Sequence, residues 1–575
     1  MMRDLHGPFV LILLCAVTAA PVGCADRPLE DDPPLDQTGP ELVIETPERG
    51  TITEGDEVTV RGRVRDDGSG VARVLVDGAE ASVGGDGAFD LSAPMASGLN
   101  LVETVAEDES GNTRRDTRAI LAGPFAEPDQ VVDHAAKLRL GRRALAGLAG
   151  ALSGALDGER LSALADAQNP IIDVGGSCLG ATASIDEVEL STAEIELSPT
   201  RQGLAARIEA RDFKVSMDVE FAVACISGDA VISLASDVAA VSGTVDARVA
   251  RGEVEAELSD AGARFEGVVL DLAGLPPEVV DLVIGDLDGA VASAVTMIAS
   301  AVVPSMIEGS FARVAAREEF EVMGAELRVG LWPRAIEIDD TGLEVTTDLE
   351  VAAVTGASAP PYPRDDWRGP RPLPETSDVY LAVRITALNQ VLSALWSAGA
   401  MTEQIALGDP DGNVGQRLDG VNLEMLLPPT VVENASESGV AIGVGDLLVD
   451  AVRGSGDDAQ VVTRLAVSSI AHLAASVDPD SEGALDLAVA APDAGFNVID
   501  QGPDALDLGE VEDLASFTAS RLAAALGDVL GELPLPAVGG VTVREASLSS
   551  EGGELVLRGG LSGDGAPANA ERCDS

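Results

Sequence analysis

Residues Ala359–Met401 read APPYPRDDWRGPRPLPETSDVYLAVRITALNQVLSALWSAGAM, and they join two different kinds of sequence. All three tryptophans (Trp332, Trp367, Trp396) and both tyrosines (Tyr362, Tyr380) fall between 332 and 396, whereas the rest of the 575 residues is built almost wholly from aliphatic side chains. The opening part is crowded with prolines (360, 361, 363, 370, 372 and 374). Proline fixes φ and has no N–H to donate, so this part reads as an extended connector. Val379–Val383 then predicts a short strand. Ile385, Leu388, Val391, Leu392 and Leu395 recur at i, i+3, i+4, predicting a helix to Trp396 that stops near Gly399. A connector feeding a strand and an amphipathic helix marks the start of a second domain.

Composition bounds the partners. There are 37 basic and 97 acidic residues, a net charge of −60 and a pI near 4.1. A partner held through its phosphates would approach against a strong repulsive field, which argues against nucleic acid. Hydrophobic residues make up 46% of the chain, enough for large buried cores and far more than a disordered acidic chain carries.

Arg3, the apolar run Phe9–Val17 and the small residues up to Gly23 have the layout of a secretory signal peptide over residues 1–23, too short to span a bilayer. Pro21-Val22-Gly23-Cys24 resembles a bacterial lipobox, except that Pro21 stands where leucine is usual. That resemblance implies acylation of Cys24 and a lipoprotein; the alternative is a plain secreted protein cleaved nearby. Alanine at position 25 favours the outer membrane. Residues 24–40, acidic and proline-rich, read as a solvated tether.

Residues 41–123 carry short alternating runs (Val58/Val60/Val64, Val74/Val76, Phe89/Leu91, Leu99/Leu101) between turn clusters, the pattern of a β-sandwich of about seven strands. SGVARVLVDG, GAFDLSAP and GLNLVETVAEDESGNT resemble a bacterial immunoglobulin-like module, which reads here as a spacer. Its acidic turns (Asp66, Asp67, Glu107, Asp108) offer oxygens of the kind calcium takes, but solvated turns are the preferred reading and no metal site is assigned.

From 124 to 325 a helical spacing over Val131–Ala167 (Leu138, Leu145, Leu148, Leu152, Leu156) precedes alternating strands. The clearest is Val215, Met217, Val219, Phe221, Val223, Cys225, with every second residue apolar, so one face is buried. Pro276-Pro277 opens a long helix, Glu278 to Ile307, with an apolar stripe through Leu282, Val283, Leu287, Val291, Val295, Ile298 and Val302. Asp281, Asp286 and Asp288 interrupt the stripe and argue against a membrane span. Residues 326–378 hold a sheet, clearest at Leu343–Val351, and the connector. Residues 379–565 repeat the order of helix, strands, long helix (Leu514, Phe517, Leu522, Leu526) and final strands after Leu533-Pro534-Leu535-Pro536, and 566–575 form a tail.

The order of a proline-rich linker followed by VYLAVRITALNQVLSALWSAGAM, with the same succession of elements on both sides, resembles the bactericidal/permeability-increasing and lipid-transfer family, the tubular lipid-binding (TULIP) fold. The resemblance covers about 440 residues, from 125 to 565, and implies an α+β fold: two elongated barrel-and-helix modules joined by a central sheet. It also implies a ligand groove between each long helix and its curled sheet, at Val283, Leu287, Val291, Val295, Leu522 and Leu526. Pattern alone does not separate that groove from plain core. The family's first barrel carries one disulfide, which supports pairing Cys178 with Cys225 over two free thiols; Cys573 has no evident partner. The chain departs from the family's endotoxin-binding members in lacking a cationic tip. Arg139, Arg142 and Arg143 are the nearest cluster and read as a solvated helix surface.

No G-x-S-x-G, P-loop, H-E-x-x-H or C-x-x-C motif occurs, and His134 and His472 are the only histidines beyond the leader. No catalytic residue, cofactor or metal is therefore assigned, and the protein is not expected to be an enzyme. The reading is an exported lipoprotein, anchored in the envelope through Cys24, that binds or transfers lipid or another elongated apolar molecule. Its rival is a structural or adhesive envelope protein with solid barrels and no ligand.

Overall fold

The computed structural model describes residues 36–561 apart from 129, 155, 157, 167–168, 312–316, 323, 357–358, 370–377, 401, 403, 407–417, 435–438, 455–458, 478–484, 490–492, 503–504 and 533–542. The leader, Cys24, Cys573, residues 370–377 of the proline connector and Leu533–Pro536 lie outside the described residues.

The N-terminal module is a β-sandwich of eight strands: β1 (Glu41–Thr46), β2 (Thr51–Thr53), β3 (Glu57–Arg65), β4 (Val71–Val76), β5 (Ala79–Val83), β6 (Ala88–Pro94), β7 (Gly98–Asp108) and β8 (Thr113–Ala122). β5 pairs with both β6 and β4, so β1-β3-β6 continues through it into β4-β7-β8-β2. Val60, Val74, Val76, Phe89, Val102 and Ile120 fill the interior. The valines and Phe89 take the inward positions of their strands, whereas Ile120 lies in a strand end buried on both faces.

After β9 (Phe125–Ala126), strand β10 (Val132–Gly141) leads directly into α1 (Arg142–Ser153) and α2 (Gly158–Asp166). The helical spacing expected from Val131 therefore starts only at Arg142, and Leu138 belongs to a strand. The first curled sheet follows: β11 (Ile172–Gly176), β12 (Leu179–Glu189), β13 (Thr192–Thr200), β14 (Gly203–Val223), β15 (Ile226–Ala250), β16 (Glu253–Glu266) and β17 (Val269–Asp271), covered by α3 (Pro277–Ser310). Then come β18 (Arg317–Val322), β19 (Ala325–Ile338), β20 (Gly342–Ala353), β21 (Tyr362–Pro363), β22 (Val379–Arg384) and α4 (Ile385–Ser397). The second curled sheet is β23 (Gln404–Ala406), β24 (Gly420–Met425), β25 (Thr430–Asn434), β26 (Gly439–Arg453), β27 (Gln460–Val477), β28 (Leu485–Val489) and β29 (Asp493–Gln501), with α5 (Leu508–Glu532), β30 (Val543–Glu551) and β31 (Glu554–Leu561) closing the chain.

The two curled sheets share one topology. The first runs β11-β12-β14-β15-β16, with β13 on β14 and β17 on β15; the second runs β23-β24-β26-β27-β28, with β25 on β26 and β29 on β27. They also share a bending device. In β14 the core residues are Leu204, Ala206 and Ala210, then Phe213, Val215, Met217 and Val219; the inward set changes from even to odd at Asp212, which has φ 48°. In β26 they are Val440, Ile442 and Val444, then Leu447, Val449 and Ala451; the change falls at Asp446, φ 46°, where the register with β27 shifts. Aspartate is among the few non-glycine residues that tolerate the left-handed region. One such residue turns a long strand's outer face inward and lets the sheet curl.

Between them lies a sheet ordered β18-β19-β20-β10-β22-β31-β30. Its centre is the antiparallel pair β10 and β22, with Leu138 opposite Leu381 and Leu140 opposite Val379. On the other face Arg139 is buried and pairs with Asp339 and Glu344, so it is no solvated helix residue; Arg143 pairs with Asp378.

The aromatics of the junction lock it. Trp367 Nε1 donates to Glu554 at 2.9 Å, its ring lies 4.5 Å from the Arg384 guanidinium and 5.3 Å from His134, and Trp396 Nε1 donates to the Met425 carbonyl at 2.8 Å. Arg384 holds Asp365 through both carboxylate oxygens. Burial alone would raise the Asp365 pKa, but the bonds from Arg384 and the Thr386 N–H outweigh it and hold the carboxyl below 3.8.

The sandwich is docked on the second barrel, so it does not act as a free spacer. Arg49 bridges Asp116 and Asp446, each at 2.7 Å. The fully buried Asp446 also accepts the N–H groups of Gly50 and Ala119, and Asn497 exchanges two hydrogen bonds with the backbone of Thr117. A Cβ on Gly445 would stand 2.4 Å from the Cβ of Ala119, so at this point the two surfaces touch at a distance only glycine allows.

Two outcomes follow for stability. Arg49→Ala strands the Asp446 carboxylate in the interface and costs roughly 3–5 kcal/mol; in calorimetry the sandwich should separate as an earlier transition, and an unchanged single melt would refute the latch. Because the Asp365 pKa is depressed, its contribution is complete above about pH 3.8 and is lost as pH falls through the lowered value. Asp365→Asn should remove that acid limb from the Trp367 fluorescence melt, and an identical profile would count against it.

Candidate functional site

The first curled sheet and α3 meet along a seam. Inward residues of β12 (Ile185, Val188), β14 (Phe213, Val215) and β15 (Ala239, Val241) face Val295, Ile298, Ala299 and Val302 of α3, and Leu156 and Leu161 close the end near α2. All sixteen residues around this cavity are apolar, and its volume is about 70 Å³. It needs no polar partner and would be dry.

The expected ligand residues fall on this scaffold unevenly. Val295 is half-buried and lines the cavity. Val291 is fully buried in the contact of α3 with the sheet and does not line it. Val283 and Leu287 belong to α3, but their side chains lie outside the described residues. Leu522 and Leu526 are buried on α5 in the second barrel, within the same continuous core as the first. Leu156 enters the sequence reading only as part of a helical stripe, and Leu161 and Phe213 do not enter it, although Phe213 is in phase with the alternation that runs on from Val215.

The seam is shorter than the elongated hollow that the sequence reading expects. A cavity of about 150 Å³ holds a benzene-sized guest, so about 70 Å³ does not admit an alkyl tail as it stands. Entry would need α3 to rise. Among the described residues its one side-chain hydrogen bond to the sheet is at its C-terminal end, where the Ala256 N–H donates to Glu308 at 2.8 Å; elsewhere apolar contact alone holds it. Residues Gly289–Ser310 of α3 are long and apolar enough to cross a bilayer by length and composition, and half of that window is buried. The three aspartates of the sequence argument all precede it.

Cys178 and Cys225 form a disulfide at the far end of the barrel. Cys225 sits exposed in the β14–β15 turn with φ 65° instead of on the buried face where its alternation places it. Beside it an open concavity of about 550 Å³ is lined by Asp173, Glu220 and Asp229 and by no cation. Four cations of this sheet are paired: Arg207 and Arg211 with Glu209, Lys214 with Glu189, and Arg248 with Glu255.

Residues 40–123 match the family model of glucodextranase domain B. Two solved structures align with most of the chain. A lipopolysaccharide binding protein does so over 75% of this chain and 99% of its own, with 14% identity and a TM-score of 0.41. P47 from Clostridium botulinum A2 does so over 75% and 98%, with 10% identity and a TM-score of 0.19. No curated protein matches the chain.

Val291→Asp would place an unpaired carboxylate in the helix–sheet contact and cost more than about 4 kcal/mol, whereas Val295→Phe turns into the seam and costs about 1–3 kcal/mol. Circular dichroism melts should therefore show the first variant unfolded or nearly so and the second folded; the reverse order would overturn the assignment of which side chain faces the cavity.

Proposed function

We propose that the chain is an exported, lipid-anchored member of the tubular lipid-binding group that takes up lipid or another elongated apolar molecule beneath α3, with no catalytic step. The supporting observation is the wholly apolar seam between a long helix and a curled sheet, closed mainly by dispersion and burial. Its contents would be chosen by length and apolarity, because the lining offers no donor to a headgroup. Each methylene transferred from water contributes about 0.8 kcal/mol, so a sixteen-carbon tail supplies about 12 kcal/mol gross, against which stand the cost of lifting α3 and the entropy of binding. Acylation of Cys24 and an outer-membrane location complete this reading, and they rest on the sequence alone.

A second reading, a structural envelope protein with packed barrels, is favoured by the small volume of the seam and by the single core that runs through both modules. Native mass spectrometry of the protein, delipidated and then exposed to a fluorescent fatty acid and to phospholipid vesicles, separates the two. The lipid reading expects stoichiometric uptake that Val295→Phe lowers at least tenfold while the fold persists. Absence of uptake in the wild type sustains the structural reading, and equal uptake in the folded variant places the ligand elsewhere than the seam.

A further inference from the structure

The acidic turns of the sandwich do not simply face solvent. Carboxylate oxygens of Asp36, Asp66 and Asp108 all lie within 4.8 Å of one another, the widest separation that two oxygens each about 2.4 Å from one ion can have. They come from the start of the described chain, the β3–β4 turn and the end of β7. Asp67 and Glu107, the other acids of those turns, point away to Arg65 and Arg73.

Asp108 is 1% exposed. Its Oδ1 accepts the N–H groups of Ser110 and Asn112, and its Oδ2 accepts only the Asn112 amide. Among the described residues no lysine or arginine pairs with any of the three carboxylates. Asp108 is thus buried among neutral donors, with no cationic side chain beside it among the described residues, an environment that a bound cation would balance. A second group points the same way. The Ser69 hydroxyl oxygen, on the turn between Asp66 and β4 and against both Asp36 and Asp108, is buried and meets no hydrogen-bond partner, although its own N–H donates to Asp36.

We infer that Asp36, Asp66, Asp108 and the Ser69 hydroxyl form a calcium site that fastens the N-terminal lead of the chain to the sandwich. Three carboxylates and a hydroxyl supply hard oxygen ligands, and water completes the six to eight that calcium takes. Magnesium, with oxygens at about 2.0–2.1 Å in a strict octahedron, would require the cluster to contract. Asp36 stands five residues before β1, so the ion would hold residues 36–40 against the β3–β4 turn and the end of β7. This inference is independent of whether the barrels carry lipid.

The test is calorimetric titration of the full chain with calcium chloride, repeated with magnesium chloride. One saturable calcium site is expected, at least tenfold tighter than magnesium and weakened at least tenfold by Asp36→Asn, a substitution outside the sandwich's hydrophobic core that does not threaten folding. Asp108→Asn should abolish it; should that variant fail to fold, Ser69→Ala must weaken binding measurably. No saturable uptake, equal affinity for the two ions, or an affinity within twofold of wild type in Asp36→Asn identifies diffuse counter-ion binding to an acidic surface and overturns the inference.

Discussion

The antiparallel pairing of β10 with β22 is the constraint on which the two-barrel body depends. Each strand passes without a loop into the helix that opens its own barrel, Gly141 into Arg142 and Arg384 into Ile385. Once the two strands are in register, the starting points and directions of both modules are set. The strands that return after α3 and α5 can then only add to the flanks, β20 beside β10 and β31 beside β22. Leucine and valine from both central strands fill one face, and Lys137, Arg139, Tyr380 and Arg558 occupy the other with their partners. The sheet thus joins two hydrophobic interiors into one core, and neither half exposes an unpaired edge to the other.

Much of this was legible in the residues. The strand and helix at 379–396, the two long helices, and the doubled order of elements all follow from period and punctuation, because each element buries one stripe and the stripe repeats at the element's own spacing. What escaped has a common cause. Alternation is a local signal, and a single left-handed residue inverts it, so the run that begins at Val215 reads as a strand of its own when it is part of the 21-residue β14. The same extrapolation put Cys225 on a buried face, although the chain has already turned there. Leu138 fits a helix and a strand equally well by apolarity; its neighbours in β20 and β22 decide, and they lie some 200 residues away.

The groupings that carry chemistry were less legible still. Asp36 has nothing in its surroundings to distinguish it from the other acids of the tether, and it meets Asp66 and Asp108 only because the sandwich closes beside it. Likewise the seam under α3 depends on depth, and apolar spacing does not record depth: Val291 and Val295 are equivalent in sequence, yet one is packed against the sheet and the other borders space.

Asp212 and Asp446 occupy matching places in the two barrels and have the same unusual backbone, but their surroundings differ. Asp212 is exposed, whereas Asp446 is sealed beneath the sandwich by Arg49. A bend left open is a place where a sheet can breathe; one with a salt bridge set into it is splinted. The pinned bend belongs to the barrel that carries the sandwich, and the open one to the barrel with space beneath its helix.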